Sequence, residues 1–366
     1  MGLIRILLAV FVVLYHCGQF NGFKMMQGPE AVQSFYIISD FYMALILNEK
    51  YVSQVNAYKL FITNRLLKLM PVYWIIIFFI LIISLSTIFI TGGNNWAFFT
   101  PFKNRVLNIP TYCYLIVSNL FMIGQDVALF MGLNKADGHL FFTSFFQQSK
   151  PPVHSFMLVP QAWSISIEIM FYLIAQFIVR RKIWKIAGLT LFTAGIKYFL
   201  FKNGYNYDPW SYRFFPAEMF FFLLGILSYK LYNATERINI PQWVLVIVTG
   251  ITVAVIMLFD VLLLQFHQYI YFLCFSIAIP FIFRLSKKST WDRLLGEYSY
   301  PLYISHVFFK SLYYMIFGFS TNVSIPVLCS GLLFSFLYNH YLNRSLEDFR
   351  QHRVLQSELI KNKMIL

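Results

Sequence analysis

This chain has little charge. Only 12% of its 366 residues are Asp, Glu, Lys or Arg, about half the roughly 25% of an ordinary soluble domain. Cysteine is scarcer still. The four present, Cys17, Cys113, Cys274 and Cys329, are scattered and suggest neither a metal knuckle nor a disulfide framework. No GxGxxG or GxxxxGK[ST] phosphate loop occurs, no HExxH, and no fixed-period repeat. These absences exclude dinucleotide-fold, P-loop and zincin readings, and any soluble catalytic domain. No metal site is expected.

What is there is apolar. The chain is 59% hydrophobic and 20% aromatic, with a mean hydropathy of +0.64. Repeated long apolar runs of this kind mark an all-α, polytopic membrane bundle. Runs long enough to cross lie near 3–22, 31–48, 71–91, 111–131, 160–179, 183–201, 213–232, 241–263, 269–285, 298–318 and 323–342. The first lacks a small-residue cleavage site, and Gln19, Asn21 and Lys24 follow in or just after it. It reads as a span, not as a removed signal.

The net charge is +14. In a soluble chain that would suggest nucleic acid; here the charges sit between apolar runs, and no nucleic-acid partner is expected. Lys59, Arg65 and Lys68 form one basic cluster, Arg180, Arg181, Lys182 and Lys185 a second, Arg284, Lys287, Lys288 and Arg293 a third. Such clusters collect on the cytoplasmic side. All three fall there if the N-terminus is inside and 111–131 does not cross. That segment carries Asn119, Gln125 and Asp126, which are too polar for a lipid-facing helix. The expectation is about ten transmembrane helices with both termini cytoplasmic. Residues 1–342 would form the membrane domain, with 92–159 as an outer-side or re-entrant insertion, and 343–366 a cytoplasmic tail. Within that tail Glu347, Asp348, Arg350, His352 and Arg353 read as a solvated helix face.

Ionisable groups inside the spans are costly and are functional candidates by default. His16 lies in the run IRILLAVFVVLYHCGQF, eleven residues after Arg5. That is close to three turns, so both share one helix face about 16 Å apart. Trp163, Ser164 and Glu168 fall in the outer half of the span entered near Pro160, with Ser164 and Glu168 on one face. Arg213 begins a later span at its outer edge, with Glu218 deeper. His306 follows the Ser299-Tyr300-Pro301 break. A shared outer-half location puts Glu168 opposite His16. A histidine beside a carboxylate suits removal of a proton from a hydroxyl as it attacks a carbonyl. Each group has a plainer reading as well: His16 as a satisfied structural histidine, Glu168 as a counter-ion to an arginine, His306 as a packing residue, Arg65 and Lys68 as topology determinants. His139 and His154 read as solvated loop residues.

Six segments in order resemble the acyltransferase-3 family of bacterial integral-membrane acyltransferases. They are Arg5 to His16; Phe35-Tyr36-Ile37-Ile38-Ser39-Asp40-Phe41, similar to FFxxSGF; Arg65 to Tyr73, similar to RxxRxxPxY; Trp163 to Tyr172, similar to WSLSxExxFY; Arg213 through Glu218 to Gly225; and Gly296 to His306, similar to GxxSYxLYLxH. Two positions depart from that pattern. Asp40 stands where the family usually has glycine, and Lys68 where it has arginine. Lysine keeps the charge but loses the bidentate fork. A catalytically dead subunit is the reading that Asp40 keeps open.

The resemblance implies an O-acyltransferase of the bacterial cytoplasmic (inner) membrane, favouring a stand-alone form without an esterase-like outer domain. It would take acetyl from cytoplasmic acetyl-CoA, a donor substrate and not a permanently bound cofactor. The acceptor would be a hydroxyl of an outward-facing surface polysaccharide, such as O-antigen, lipopolysaccharide or exopolysaccharide, or a lipid-linked glycan. His16 and Glu168 would be catalytic, and Arg5, Arg65 and Lys68 would hold the donor phosphates. Arg213, Ser164, Trp163, Ser39, Tyr300 and His306 would bind substrate or support the site. Succinyl or another acyl group, or a transporter or flippase for a glycan or small solute, are the competing readings.

Overall fold

A computed structural model describes residues 1–18, 26–52, 54–261, 267–318 and 322–365. The ends of the expected spans 3–22 and 241–263 lie outside these residues. Helices dominate: α1 Gly2–Cys17, α2 Gly28–Glu49, α3 Ala57–Ile90, α4 Ile109–Phe121, α5 Trp163–Val179, α6 Ile183–Lys202, α7 Phe215–Ala234, α8 Gln242–Met257, α9 His267–Ser286, α10 Thr290–Phe317, α11 Ser324–Tyr338 and α12 Arg344–Ile365. The protein is a polytopic helical membrane bundle.

Local chemistry sets several starts. Proline occupies the first helical turn of α2, α4 and α7, where a missing N–H costs nothing. The Asn108 side chain caps α4 by accepting from the Thr111 amide at 2.9 Å, and Ser289 caps α10 by accepting from Asp292 at 3.2 Å. A π-helical turn, Asn339–Asn343, joins α11 to α12 without a break.

Among the described residues seven helices are long and apolar enough to cross a membrane. They are α2, α3, α5, α6, α7, α9 and the α11–α12 run. α1 and α8 are apolar but have 16 residues each, about 24 Å of rise. α10 has 28 residues, about 42 Å, ample for a span of roughly 30 Å. α4, in the segment 111–131, has only 13. Its rise of about 20 Å is too short to cross that thickness. After it the chain turns through short 3₁₀ segments and a small antiparallel hairpin, β1 Met131–Leu133 with β2 Leu140–Phe142.

The bundle has two unlike ends. The basic clusters gather where α1, α3, α6, α8 and α10 begin, the basic end; residues 92–159 lie at the far end. α1 crosses α10 closely at Gly2 and Gly296. A Cβ on Gly2 would fall 1.5 Å from the Asp292 carbonyl oxygen. Asp292 also accepts from the Gly2 and Leu3 amides at 2.8 and 3.0 Å, which fixes the start of α1 and so the height of Arg5. Large apolar side chains remain exposed on α6 and α8, including Leu191, Phe192, Trp243 and Ile251. A continuous apolar exterior is what contact with lipid requires.

The tail departs from expectation. α12 is not a solvated extension: it packs along the basic-end part of α3 through Arg353, which donates to Asn64 Oδ1 at 2.8 Å and Thr63 Oγ1 at 2.9 Å. Val354 is buried. The charges at 347, 348 and 350 line the mouth of a cavity, with Arg350 largely covered and Asp348 and His352 still exposed.

Candidate active site

A cavity of about 890 Å³ runs into the bundle from the basic end. Its mouth lies among Lys50, Lys287, Arg293 and Arg344, and its inner end reaches Ser164 and Tyr303. α2 gives it one stripe, Val32, Phe35, Ser39, Tyr42 and Ile46, the i, i+3, i+4 spacing of a single helix face. α5 contributes Ser164 and, one turn nearer the basic end, Glu168.

Arg5 of α1 and Arg65 and Lys68 of α3 all line this space. Among the described residues no ion pair holds any of the three. Arg65 lies over the Tyr172 ring, 5.6 Å from its centroid. Counted around the whole lining there are eight Lys or Arg against five Asp or Glu, so the cavity suits an anion. Tyr300 ties α10 to α3 by donating to the Leu69 carbonyl at 3.0 Å.

Glu168 belongs to this cavity and not to His16. Its Oε1 accepts from the Ser39 and Tyr172 hydroxyls. The pairing expected from depth alone therefore fails. Ser164 and Glu168 do share a face, but that face looks onto the cavity. Helical phase allowed this outcome equally, and only the crossing of α1, α2 and α5 decides it.

His16 sits in the last turn of α1, exposed at the far end rather than deep in the span. Its ring neighbour is His306 of α10, with centroids 5.0 Å apart. His16 Nδ1–H donates to the Val12 carbonyl at 2.9 Å. A carbonyl only accepts, so in the neutral ring this bond leaves Nε2 as the proton acceptor. His306 repeats the arrangement: Nδ1–H donates to the Tyr303 carbonyl at 2.5 Å. Its buried Nε2 has no hydrogen-bond partner among the described residues.

Tyr303 stands between the two regions. Its hydroxyl is 2.6 Å from Ser164 Oγ at the cavity's inner end, and its ring lies 5.8 Å from that of His306. Two ring contacts thus lead from the cavity to His16. Lys310, one turn beyond His306, donates to the His16 carbonyl at 2.5 Å and steadies the end of α1. Arg213 is already engaged. Its guanidinium pairs with Asp208 at 2.6 and 3.0 Å, donates to the Tyr212 hydroxyl, and lies 4.3 Å from the Trp163 ring centroid.

Residue by residue, Arg5, Arg65, Lys68, Ser39, Ser164, Glu168 and Tyr300 meet at the cavity, while His16, His306, Arg213 and Trp163 lie toward the far end. Tyr303, Tyr172, Asp208 and Lys310 were not singled out from the sequence. Three of them were signalled by spacing, Tyr303 three before His306, Lys310 four after it, and Tyr172 four after Glu168.

A family model described as an acyltransferase domain matches residues 1–340. The chain belongs to the acyltransferase-3 family. It is a multi-pass membrane acyltransferase. No curated protein and no solved structure matches it.

Proposed function

We propose that this acyltransferase moves an acetyl group from acetyl-CoA, entering from the cytoplasm, to a hydroxyl of a surface polysaccharide or lipid-linked glycan at the outer face of a bacterial inner membrane. Ten spans with both termini inside complete this arrangement. The observation that carries it is the cavity: it opens among basic residues, holds three cations with no ion pair among the described residues, and ends two ring contacts short of an exposed histidine whose Nδ1–H is engaged, which leaves Nε2 as the proton acceptor.

Arg5, Arg65 and Lys68 hold the donor's phosphates, with the arginines giving paired N–H donors. The flexible thioester arm extends toward Ser164 and Tyr303. The acceptor hydroxyl approaches from the far end. His16 Nε2 takes its proton as the hydroxyl oxygen attacks the thioester carbonyl. The C–O bond forms, the C–S bond breaks, and the coenzyme A thiolate takes up a proton as it leaves. His306 packs against the base, and the Val12 carbonyl sets its tautomer. Glu168 positions the donor-side wall through Ser39 and Tyr172.

The test is His16→Ala in cells and in membrane vesicles with labelled acetyl-CoA. Loss of a general base lowers the rate by about 10²–10⁴, read as label in glycan. Full glycan acetylation by the variant overturns the mechanism. Glycan or solute movement in wild-type vesicles without acetylation overturns the reaction itself and favours transport.

A further inference from the structure

The family match ends at residue 340, yet the cavity does not. Asn343, Arg344, Glu347, Asp348, Arg350 and Gln351 complete its mouth. Their spacing is that of one face running from the π-helical turn into α12. The helix is clamped in place: besides the Arg353 bonds, Gln54 donates to Glu358 at 2.7 Å and Asn64 Nδ2 lies 3.5 Å from the Arg350 carbonyl. Asn64 directly precedes Arg65, so the clamp docks α12 on the same turn of α3 that presents Arg65 to the cavity.

Arg350 is the notable side chain. It is only 12% exposed and pairs with Glu347 through one terminal nitrogen. Its buried Nε has no hydrogen-bond partner among the described residues. One carboxylate cannot satisfy a guanidinium with five donors. This face brings two positive charges, Arg344 and Arg350, and two negative ones, Glu347 and Asp348, to a space that Arg5, Arg65 and Lys68 already share, so the lining as a whole stays cationic. Like charges gathered in a partly buried cavity repel one another until a polyanion enters.

We infer that α12, outside the matched domain, forms a wall of the donor site, and that Arg350 and Arg344 bind phosphate groups of the coenzyme A thioester. This rests on the donor reading above. The helix then does more than close the bundle: it sets donor affinity from beyond the conserved domain's boundary.

The experiment uses the full chain in detergent or vesicles, with thiol release followed against acetyl-CoA concentration, and thermal shift with free coenzyme A as a second readout. Arg350→Gln is expected to raise the donor KM about tenfold, with kcat within twofold, since a charge-assisted phosphate contact is lost while the chemistry is not touched. Arg350→Lys should recover part of the loss. Arg344→Gln should shift KM in the same direction by less. Coenzyme A should stabilise the wild type and stabilise Arg350→Gln less. Unchanged KM and unchanged stabilisation in both glutamine variants overturn the inference while leaving the donor reading intact. A fall in kcat with KM unchanged shows a merely structural helix and also overturns it. If wild-type protein neither binds coenzyme A nor releases thiol, the donor reading itself fails.

Discussion

Two sets of charge within this bundle are built on opposite plans. In one, between α6, α7 and α2, Lys197 donates to Glu218 at 2.6 Å and Gln33 reaches both carboxylate oxygens at 3.2 Å. Glu218 is fully buried, and Lys197 also donates to the Ser211 carbonyl at 3.2 Å. In the other, Arg5, Arg65 and Lys68 face open space with no ion pair among the described residues. A charge matched on every side is part of the fold, because removing one partner strands the other. A set of like charges around a cavity is poised for a ligand instead. Asp40 fits neither plan. It is buried with both oxygens unpartnered among the described residues, where α2 packs tightly on α7; a Cβ on Gly225 would lie 2.8 Å from the Asp40 Cβ.

The contrast breaks most visibly at Lys197. Lys197→Ala should destabilise the protein by about 3–5 kcal/mol through the stranded carboxylate, seen as a large drop in melting temperature in detergent. A Lys197→Met, Glu218→Met double variant should recover most of it. If the single variant melts like wild type, the network is not structural. At the cavity the opposite pattern is expected. Arg65→Gln should leave the melting temperature nearly unchanged but raise the donor KM about 10–100-fold, equivalent to about 1.4–2.8 kcal/mol of binding. Equal loss of stability in both variants would erase the distinction. The smallest effect has the reverse sign: Asp40→Ala should stabilise the protein by about 1 kcal/mol or more, since an unsatisfied buried polar group is removed. A destabilised Asp40→Ala would mean the carboxylate has a partner in the working enzyme.

Much of the molecule was legible from residue order. The long apolar runs marked most of the helices, and the polarity of 111–131 marked the segment whose helix is too short to cross. Arg5, Arg65 and Lys68 were grouped together from the sequence, and they share one cavity. The site's other half was misjudged in one respect. Glu168 and His16 were matched by depth, but depth along a helix says nothing about which neighbour a side chain faces. α12 was misjudged for a related reason. Its charges at 347, 348, 350 and 353 have a surface pattern, and nothing local reveals that Asn64 and Thr63 wait on α3 to hold Arg353.

The division has a physical basis. Apolar length, the placement of Lys and Arg, and the i, i+4 neighbours along each helix follow from local geometry and from the bilayer as solvent. These alone determined a membrane-embedded chain with a basic end and a set of costly polar groups; the acyltransferase reading came from the resemblance of six segments to a family. Which of those groups meet was decided by helix crossings such as that of α1 with α10 at Gly2 and Gly296. Packing there put His16 against His306, and it left Glu168 with Ser39 and Tyr172 on the cavity side of Tyr303. Contacts between residues far apart in sequence depend on shape complementarity between whole helices, which no single segment encodes.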